Sequence, residues 1–204
     1  MVGRPVDHRR RAELLDAAVD HASREVFAEL SFRSVAAALG VSTTTLVHHF
    51  GTKDRLLESI LERLRERLVA ASEQIAGEHP DLATAARAFW AWSSDDAQWP
   101  SLRLFFAVYG HAVQSPGTYG GFLETVGADW IGVLVAAQGP AVDPTVASGR
   151  ATVVVATIRG LLLDVLATDE RERVEAAAET FLAFVATLDP GDGTTPAGRP
   201  GGGR

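Results

Sequence analysis

From Thr52 to Gly77 the chain places apolar residues every three or four positions, a spacing that continues for about six helical turns. The stripe consists of Leu57, Ile60, Leu61, Leu64, Leu68, Ala71 and Ile75. Gly77 and Pro80 end it, because proline cannot continue a helix. A helix of this length with one apolar face needs neighbouring elements to cover that face. The stripe therefore favours a helical protein over a sheet.

The rest of the chain shows the same helical period and no convincing alternating strand. Further helices are predicted near residues 9–26, 31–39, 42–50, 81–94, 100–114, 117–138, 144–168 and 170–188. The run Val153-Val154-Val155 has strand propensity, but the alanines and leucines around it favour a helix. The pattern predicts an all-α protein of about nine helices.

The composition and charge of the chain exclude several classes of function. The chain has 204 residues, is 47% hydrophobic and carries a net charge of −7, which argues against a simple polybasic nucleic-acid binder. The charge is uneven, since residues 1–55 carry 8 basic and 7 acidic side chains and residues 56–204 carry 11 and 19. With no cysteine there is no disulfide, thiolate metal site or cysteine nucleophile. No metal and no cofactor are predicted.

The chain start, MVGRPVDHRRR, lacks the apolar segment of a signal peptide, and the uncharged stretch Leu104–Leu123 contains residues that hydrocarbon would not tolerate. We therefore expect a cytoplasmic protein with no membrane partner. Residues 189–204 are rich in glycine, proline and threonine, and we expect a disordered tail there.

Residues 30–50 have the pattern of a helix-turn-helix. Ser31 is placed to cap a first short helix, Gly40 to end it with a positive φ, and Ser42 to cap a second short helix. Leu46 and Phe50, four residues apart, fix the second helix to the core. Its outward face then consists of Thr43, Thr44, Val47 and His48. Short polar side chains at such a position can reach base edges and phosphates in the major groove.

Residues 18–60 resemble the TetR family of transcriptional regulators, named for the tetracycline repressor. The similar segments are L-S-F-R-S-V-A-x-x-L-G-V-S and, after it, T-L-V-H-H-F-x-x-K-D-x-L-L, which leads into the long helix. The resemblance implies a dimeric repressor that binds a palindromic operator in double-stranded DNA and is released by a small-molecule effector. The implied DNA-contacting residues are Arg33, Ser42, Thr43, Thr44, Val47, His48, His49 and Lys53.

Two positions depart from the family pattern. Val47 stands where a tyrosine usually supplies a phosphate hydrogen bond, which puts one backbone contact in doubt. Val26 stands where a glycine commonly ends the first helix. Lys53, the sole lysine of the chain, matches a phosphate-binding lysine. The basic stretch Gly3-Arg4-Pro5 with Arg9-Arg10-Arg11 is either a DNA-contacting arm or a solvated chain start.

The segment 144–168 is apolar on nearly all sides, so more than one neighbour must cover it. We predict that it pairs with the helix near 170–188 and docks on its two-fold copy, forming a homodimer, as the resemblance also implies. A buried central helix in a monomeric bundle is the alternative.

Helices between residues 81 and 138 hold most of the aromatic side chains. Such a set is either plain core or the wall of a pocket, and the resemblance favours a pocket for an apolar or aromatic effector. The predicted lining residues are Phe89, Trp92, Phe106, Tyr109, Trp130 and Arg159. Asp164 is a further polar residue, with Arg159 or a ligand as its candidate partner.

We thus predict a DNA-binding domain in residues 1–51, a ligand-binding and dimerisation domain in residues 52–188, and a tail. Two other functions stay open. One is a helical ligand-binding or scaffold protein that has lost DNA binding, and Val47 is the feature that favours it. The other is a small enzyme, for which His111 near Tyr109 and Arg103 is the only candidate cluster.

Overall fold

The computed structural model describes residues 7–77 and 81–188 and has nine α-helices within them. They are α1 (His8–Ala22), α2 (Phe32–Leu39), α3 (Thr43–Phe50), α4 (Lys53–Gly77), α5 (Leu82–Ser93), α6 (Trp99–Gln114), α7 (Pro116–Ala137), α8 (Pro144–Thr168) and α9 (Arg171–Ala186). The described residues contain no strand, so the all-α prediction is confirmed. The tail 189–204 and Gly3-Arg4-Pro5 lie outside the described residues.

Most predicted helix bounds agree with the structure to within about two residues. The first helix is the exception, because it ends at Ala22 rather than near residue 26. The Ser23 hydroxyl donates to the Val19 carbonyl at 2.9 Å, and a 3₁₀ turn follows over Phe27–Glu29. Since the chain bends there, Phe27 packs against the core while Val26 stays 61% exposed.

Helix α4 connects the N-terminal helices to the rest of the molecule. Its buried stripe packs on α1, α3, α5 and α7. The stripe includes Leu56, Leu57, Ile60, Leu61, Leu64 and Leu68, so the long predicted helix is confirmed. One continuous apolar core extends from α1 to α9.

Ion pairs add to this packing on both sides of α4. Arg67 donates to the carboxylates of Asp16 at 2.8 Å and Asp20 at 2.6 Å, both on α1. On the other side, Arg65 donates to Asp129 of α7 at 2.6 Å. These ion pairs therefore connect the middle of α4 to α1 on one side and to α7 on the other.

Helix α8 runs the length of the C-terminal part and packs on α5, α7 and α9. Its buried residues are Ala147, Ala151, Val154, Val155, Ile158, Leu162 and Val165. Within the described ranges it is the one helix long and apolar enough to cross a membrane by length and composition, with a mean hydropathy of 1.7. The core helix of a globular protein can have the same length and hydropathy, and a third of the most apolar stretch of α8 is buried inside the protein.

Candidate DNA-binding surface and aromatic cluster

Local capping builds the helix-turn-helix as the sequence predicts. The Ser31 hydroxyl accepts from the Ser34 backbone N–H at 3.1 Å, and the Ser34 hydroxyl accepts from the Ser31 N–H at 2.9 Å. This reciprocal pair satisfies donors at the start of α2. Gly40 ends α2 at a φ of +64°, a conformation that favours glycine. The Ser42 hydroxyl then caps α3 by accepting from the Thr45 N–H at 3.0 Å.

Helix α3 has one buried side and one exposed side. Leu46 and Phe50 are 0% and 4% exposed and attach the helix to the core. Thr43, Thr44 and His48 are exposed, and Val47 is 49% exposed. The structure therefore presents the side chains that the sequence predicts to face outward, and an α-helix with such a face can enter the major groove.

The remaining predicted DNA-contacting residues differ in exposure. Arg33 and Lys53 are exposed, and neither side chain has an ion pair or hydrogen bond with any described residue. His49 is half-buried, with its ring 5.2 Å from that of His48 in a T-shaped contact. Burial, together with repulsion between the two neighbouring imidazoles when both are protonated, lowers the pKa of His49. Burial therefore disfavours the charged form of the His49 imidazole.

Arg9, Arg10 and Arg11 belong to helix α1. Arg9 and Arg10 both pair with Glu13, at 3.7 and 3.2 Å. Arg11 donates to the His49 carbonyl and the Ser59 hydroxyl, each at 3.3 Å, and its guanidinium lies 5.1 Å from the Phe50 ring centroid. Arg11 thus braces α1 against the end of α3 rather than extending as a free arm.

Seven aromatic residues of α5, α6 and α7 form one connected cluster. Phe105, fully buried, lies at its centre, with ring centroids of Phe106, Tyr109, Phe122 and Trp130 between 5.1 and 5.9 Å away. Phe89 extends the cluster by contacting Trp130 at 5.5 Å and Trp92 at 6.0 Å. All five predicted aromatic lining residues are therefore brought together.

Arg159 of α8 lies against this cluster. Its guanidinium carbon is 4.7 Å from the Trp130 ring centroid, 5.6 Å from that of Phe105 and 5.8 Å from that of Tyr109. Such distances are those of cation–π contacts. Burial lowers the pKa of Arg159. The Trp130 indole N–H is buried and has no hydrogen-bond acceptor among the side chains and backbone that the structure describes.

Two features of the cluster differ from expectation. Asp164 does not approach Arg159; it accepts two hydrogen bonds from Arg173 of α9, both 2.9 Å long, and these lower its pKa. Phe105 and Phe122 were not among the predicted lining residues. Phe105 precedes Tyr109 by four residues on one helix, so helical spacing alone places the two on one face.

A cavity of about 500 Å³ lies outside this cluster, between α5, α8 and α9. Its walls include Trp90, Trp99, Arg171 and Glu175. None of the six predicted lining residues contributes to it. The three residues considered for the enzyme alternative have different neighbours. Arg103 lies over Trp99, Tyr109 contacts Phe105, and His111 contacts Phe27.

Helices α8 and α9 leave a second apolar face exposed. On α8 it consists of Val146, Gly149, Val153, Ala156, Gly160, Leu163 and Ala167, at alternating spacings of three and four. On α9 it consists of Ala177, Thr180 and Phe184. Leu163 and Phe184 are 52% and 53% exposed. We call this set the α8–α9 face.

Helices α2 and α3 are short, capped at their N-termini and joined by a tight turn, and α3 has a polar outer face. This arrangement on a larger helical protein is typical of helix-turn-helix regulators. A family model for bacterial regulatory proteins of the tetR family matches residues 14–60. The solved structure of a TetR-family member from Streptomyces coelicolor is 30% identical, with a TM-score of 0.61, and the match covers 91% of this chain and all of that one. The chain therefore belongs to the TetR family of transcriptional regulators.

Two other comparisons agree with this assignment. The multidrug binding protein EbrR in complex with imidazole is 28% identical, with a TM-score of 0.64, over 92% of this chain and 94% of that one. The HTH-type transcriptional regulator BetI of Burkholderia lata is 29% identical over 110 residues, or 52% of this chain. The chain spans 57% of the length of that curated relative.

Proposed function

We propose that this protein is a dimeric repressor that binds an operator through α3 and is released by a small aromatic ligand. The observation that carries the proposal is the exposed face of α3 together with Arg33 and Lys53, which keep their charges free of ion pairs with described residues. Cations free of such pairs are available to DNA phosphates, which supply most of the affinity of such complexes.

The DNA-contacting roles divide by chemistry. Thr43, Thr44 and His48 have short polar side chains on the exposed face of α3 and are proposed to read base edges. Arg33, Ser42, His49 and Lys53 are proposed to position the domain on phosphates. Val47 offers only an apolar surface, suited to a thymine methyl group.

The α8–α9 face supports a homodimer. A contiguous exposed apolar face of this kind marks an interaction surface, and a two-fold axis lets the face cover its own copy. Such a dimer is proposed to hold two α3 helices about one turn of DNA apart, roughly 34–36 Å, over a palindromic site.

The ligand is proposed to bind at the aromatic cluster. The buried indole of Trp130 and the half-buried guanidinium of Arg159, beside several aromatic rings, suit a planar aromatic molecule with a hydrogen-bond acceptor. The Trp130 N–H is such a donor, because a buried donor without an acceptor is costly and a ligand oxygen or nitrogen would satisfy it. EbrR, a protein of similar fold, is known in complexes with imidazole and with proflavin, which are both planar aromatic molecules.

Within this proposal residues 1–51 form the DNA-binding domain and residues 52–188 the ligand-binding and dimerisation domain, in a cytoplasmic protein. A ligand that favours one spacing of the two α3 helices would shift the equilibrium by its differential affinity. Helix α4, which contacts both parts, is proposed to transmit the shift.

Gel-shift titrations on DNA upstream of the protein's own operon test the proposal. We expect sequence-preferring binding at moderate salt, weakened by imidazole at a pH at which its ring is neutral and its second nitrogen can accept from the Trp130 N–H. Replacing Thr43 or His48 by alanine should change base preference, whereas Lys53→Ala should weaken binding to all sequences alike. Equal binding to specific and random DNA by the unaltered protein would contradict the proposal.

A second candidate is a ligand-binding protein that has lost DNA binding. Val47 favours it, because the side chain is exposed at a position where the family commonly has a tyrosine hydroxyl. Imidazole binding at the aromatic cluster without any operator binding would select this alternative.

A further inference from the structure

A polar pocket of about 450 Å³ opens beside the end of α3 and the start of α4. Its walls include Arg11, Val47, His48, His49, Gly51 and Arg55. Two guanidinium groups and two imidazoles thus surround an opening on the same side as the exposed face of α3. Val47 belongs to the wall, so the pocket includes the space that a larger side chain at this position would fill.

Arg55 is held at this pocket by the turn between α3 and α4. Gly51 has a φ of +77°, and a Cβ atom built on it would lie 3.8 Å from Arg55 Cδ and 3.9 Å from Arg55 Nη1. The Arg55 side chain therefore runs alongside the turn rather than along α4. The Arg55 N–H donates to the Thr52 hydroxyl at 3.3 Å, which caps the first turn of α4.

The guanidinium of Arg55 has no ion pair or hydrogen bond with any residue in the described part of the chain. The other arginines of α4 differ. Arg63, Arg65 and Arg67 are all engaged with carboxylates of α1, α4 or α7. The arginines in the middle of α4 are therefore neutralised by carboxylates, whereas Arg55 near the start of the helix has no such partner among the described residues.

The surroundings of Arg55 favour an anion. Arg11 is fixed at the wall of the pocket by its bonds to His49 and Ser59 and adds a second full positive charge. Glu58 is the acidic residue in the wall, and it makes no ion pair with either arginine. Planar guanidinium groups bind phosphate oxygens in a bidentate fork, which a single ammonium group cannot do.

We propose that Arg55 binds a DNA backbone phosphate in this pocket, with Arg11 supporting it electrostatically. The contact replaces the phosphate hydrogen bond that Val47 cannot make. This inference rests on the proposed DNA-binding function and adds a residue that lies outside the predicted DNA-contacting set.

The salt dependence of operator binding tests the inference. Each phosphate contact contributes a slope of about 0.9 to the plot of log affinity against log salt, so Arg55→Ala should reduce the slope of a dimer by about 1.8. Affinity should fall roughly tenfold, about threefold per half-site, and equally for matched and mismatched operators. Arg55→Lys should keep the slope while binding more weakly than the unaltered protein.

A compensating substitution makes the test specific to the pocket. Adding Val47→Tyr to the Arg55→Ala variant should restore much of the affinity, because the tyrosine hydroxyl returns a phosphate contact. Ethylation interference should show one phosphate per half-site whose modification weakens the unaltered protein and does not affect Arg55→Ala. Thermal melting of each variant reports that the fold is retained.

The control is Arg87→Ala, which removes the same charge from α5, where Arg87 pairs with Glu179 at 3.1 Å. It should leave affinity and slope unchanged. If Lys53→Ala weakens binding and Arg55→Ala changes neither affinity nor slope, the inference is wrong and the proposed function stands. If the unaltered protein shows no specific operator binding, the proposed function itself fails.

Discussion

At the scale of single residues, short-range hydrogen bonds and backbone conformation shape the DNA-binding end. Ser31 and Ser42 satisfy the first N–H groups of α2 and α3, and Gly40 turns the chain between them. Each of these effects involves residues within about four positions of one another. The angle at which α3 is presented therefore depends on a few small side chains.

Gly40 provides a test at this scale. Gly40→Ala should lower the free energy of unfolding by about 1 kcal/mol, because alanine at a φ of +64° is strained even though no atom lies within 4 Å of the new Cβ. Gly110→Ala on α6 is the matched control, since its Cβ also meets open space but the backbone is helical. It should raise stability by about 0.5–1 kcal/mol. Urea denaturation measures both, and equal effects would contradict the explanation.

At the scale of helices, the packing of α4 brings the DNA-binding end and the aromatic cluster into one structure. Asp129, the partner of Arg65, directly precedes Trp130 of the cluster. A shift of α7 that moves Trp130 also moves the carboxylate that holds α4. The ion pair is only 22% exposed on both sides, so solvent screens it less than a surface pair.

A double-mutant cycle on Arg65 and Asp129 measures this connection. Replacing both residues by alanine, singly and together, should give a coupling energy of about 1 kcal/mol in urea denaturation. The Arg87–Glu179 pair is the matched control, because both its side chains are about half exposed and it should couple by a few tenths of a kcal/mol at most. Equal coupling energies in the two cycles would mean that partial burial does not strengthen the ion pair between Arg65 and Asp129.

At the scale of the whole molecule, charge and apolar surface are distributed unequally. The chain as a whole is acidic, yet Arg33, Lys53 and Arg55 stand near α3 free of ion pairs with described residues. In the proposed DNA complex, an acidic body disfavours contact elsewhere on the surface, so the affinity is expected to depend on these few cations. The α8–α9 face lies far along the chain from that end and carries four of the exposed large hydrophobic residues, namely Val146, Val153, Leu163 and Phe184.

The dimer is tested at this scale by charge insertion. Leu163→Glu or Phe184→Glu should convert the dimer to a monomer in sedimentation velocity, because a carboxylate would be buried against its own copy. Operator binding should fall with it. Val113→Glu is the control, since Val113 is 60% exposed on α6, outside the α8–α9 face. A dimer that survives substitution on the α8–α9 face would place the interface elsewhere.

Much of the fold was predictable because helix formation and helix capping are local. Apolar spacing located the nine helices, and serine and glycine positions located the helix-turn-helix. The end of α1 was missed because Phe27 is drawn to the core by long-range packing that no local pattern encodes.

Local patterns in the amino-acid sequence specify the helices, the exposed face of α3 and the aromatic residues of α5 to α7. Which charges pair depends on how the helices pack: Asp164 pairs with Arg173 and Arg65 with Asp129, whereas Arg55 pairs with no described residue. Helix packing also places Phe105 at the centre of the cluster. The physical reason is distance along the chain, since ion pairs and ring contacts between helices depend on how whole helices pack, whereas periodicity and caps depend on neighbours within a turn.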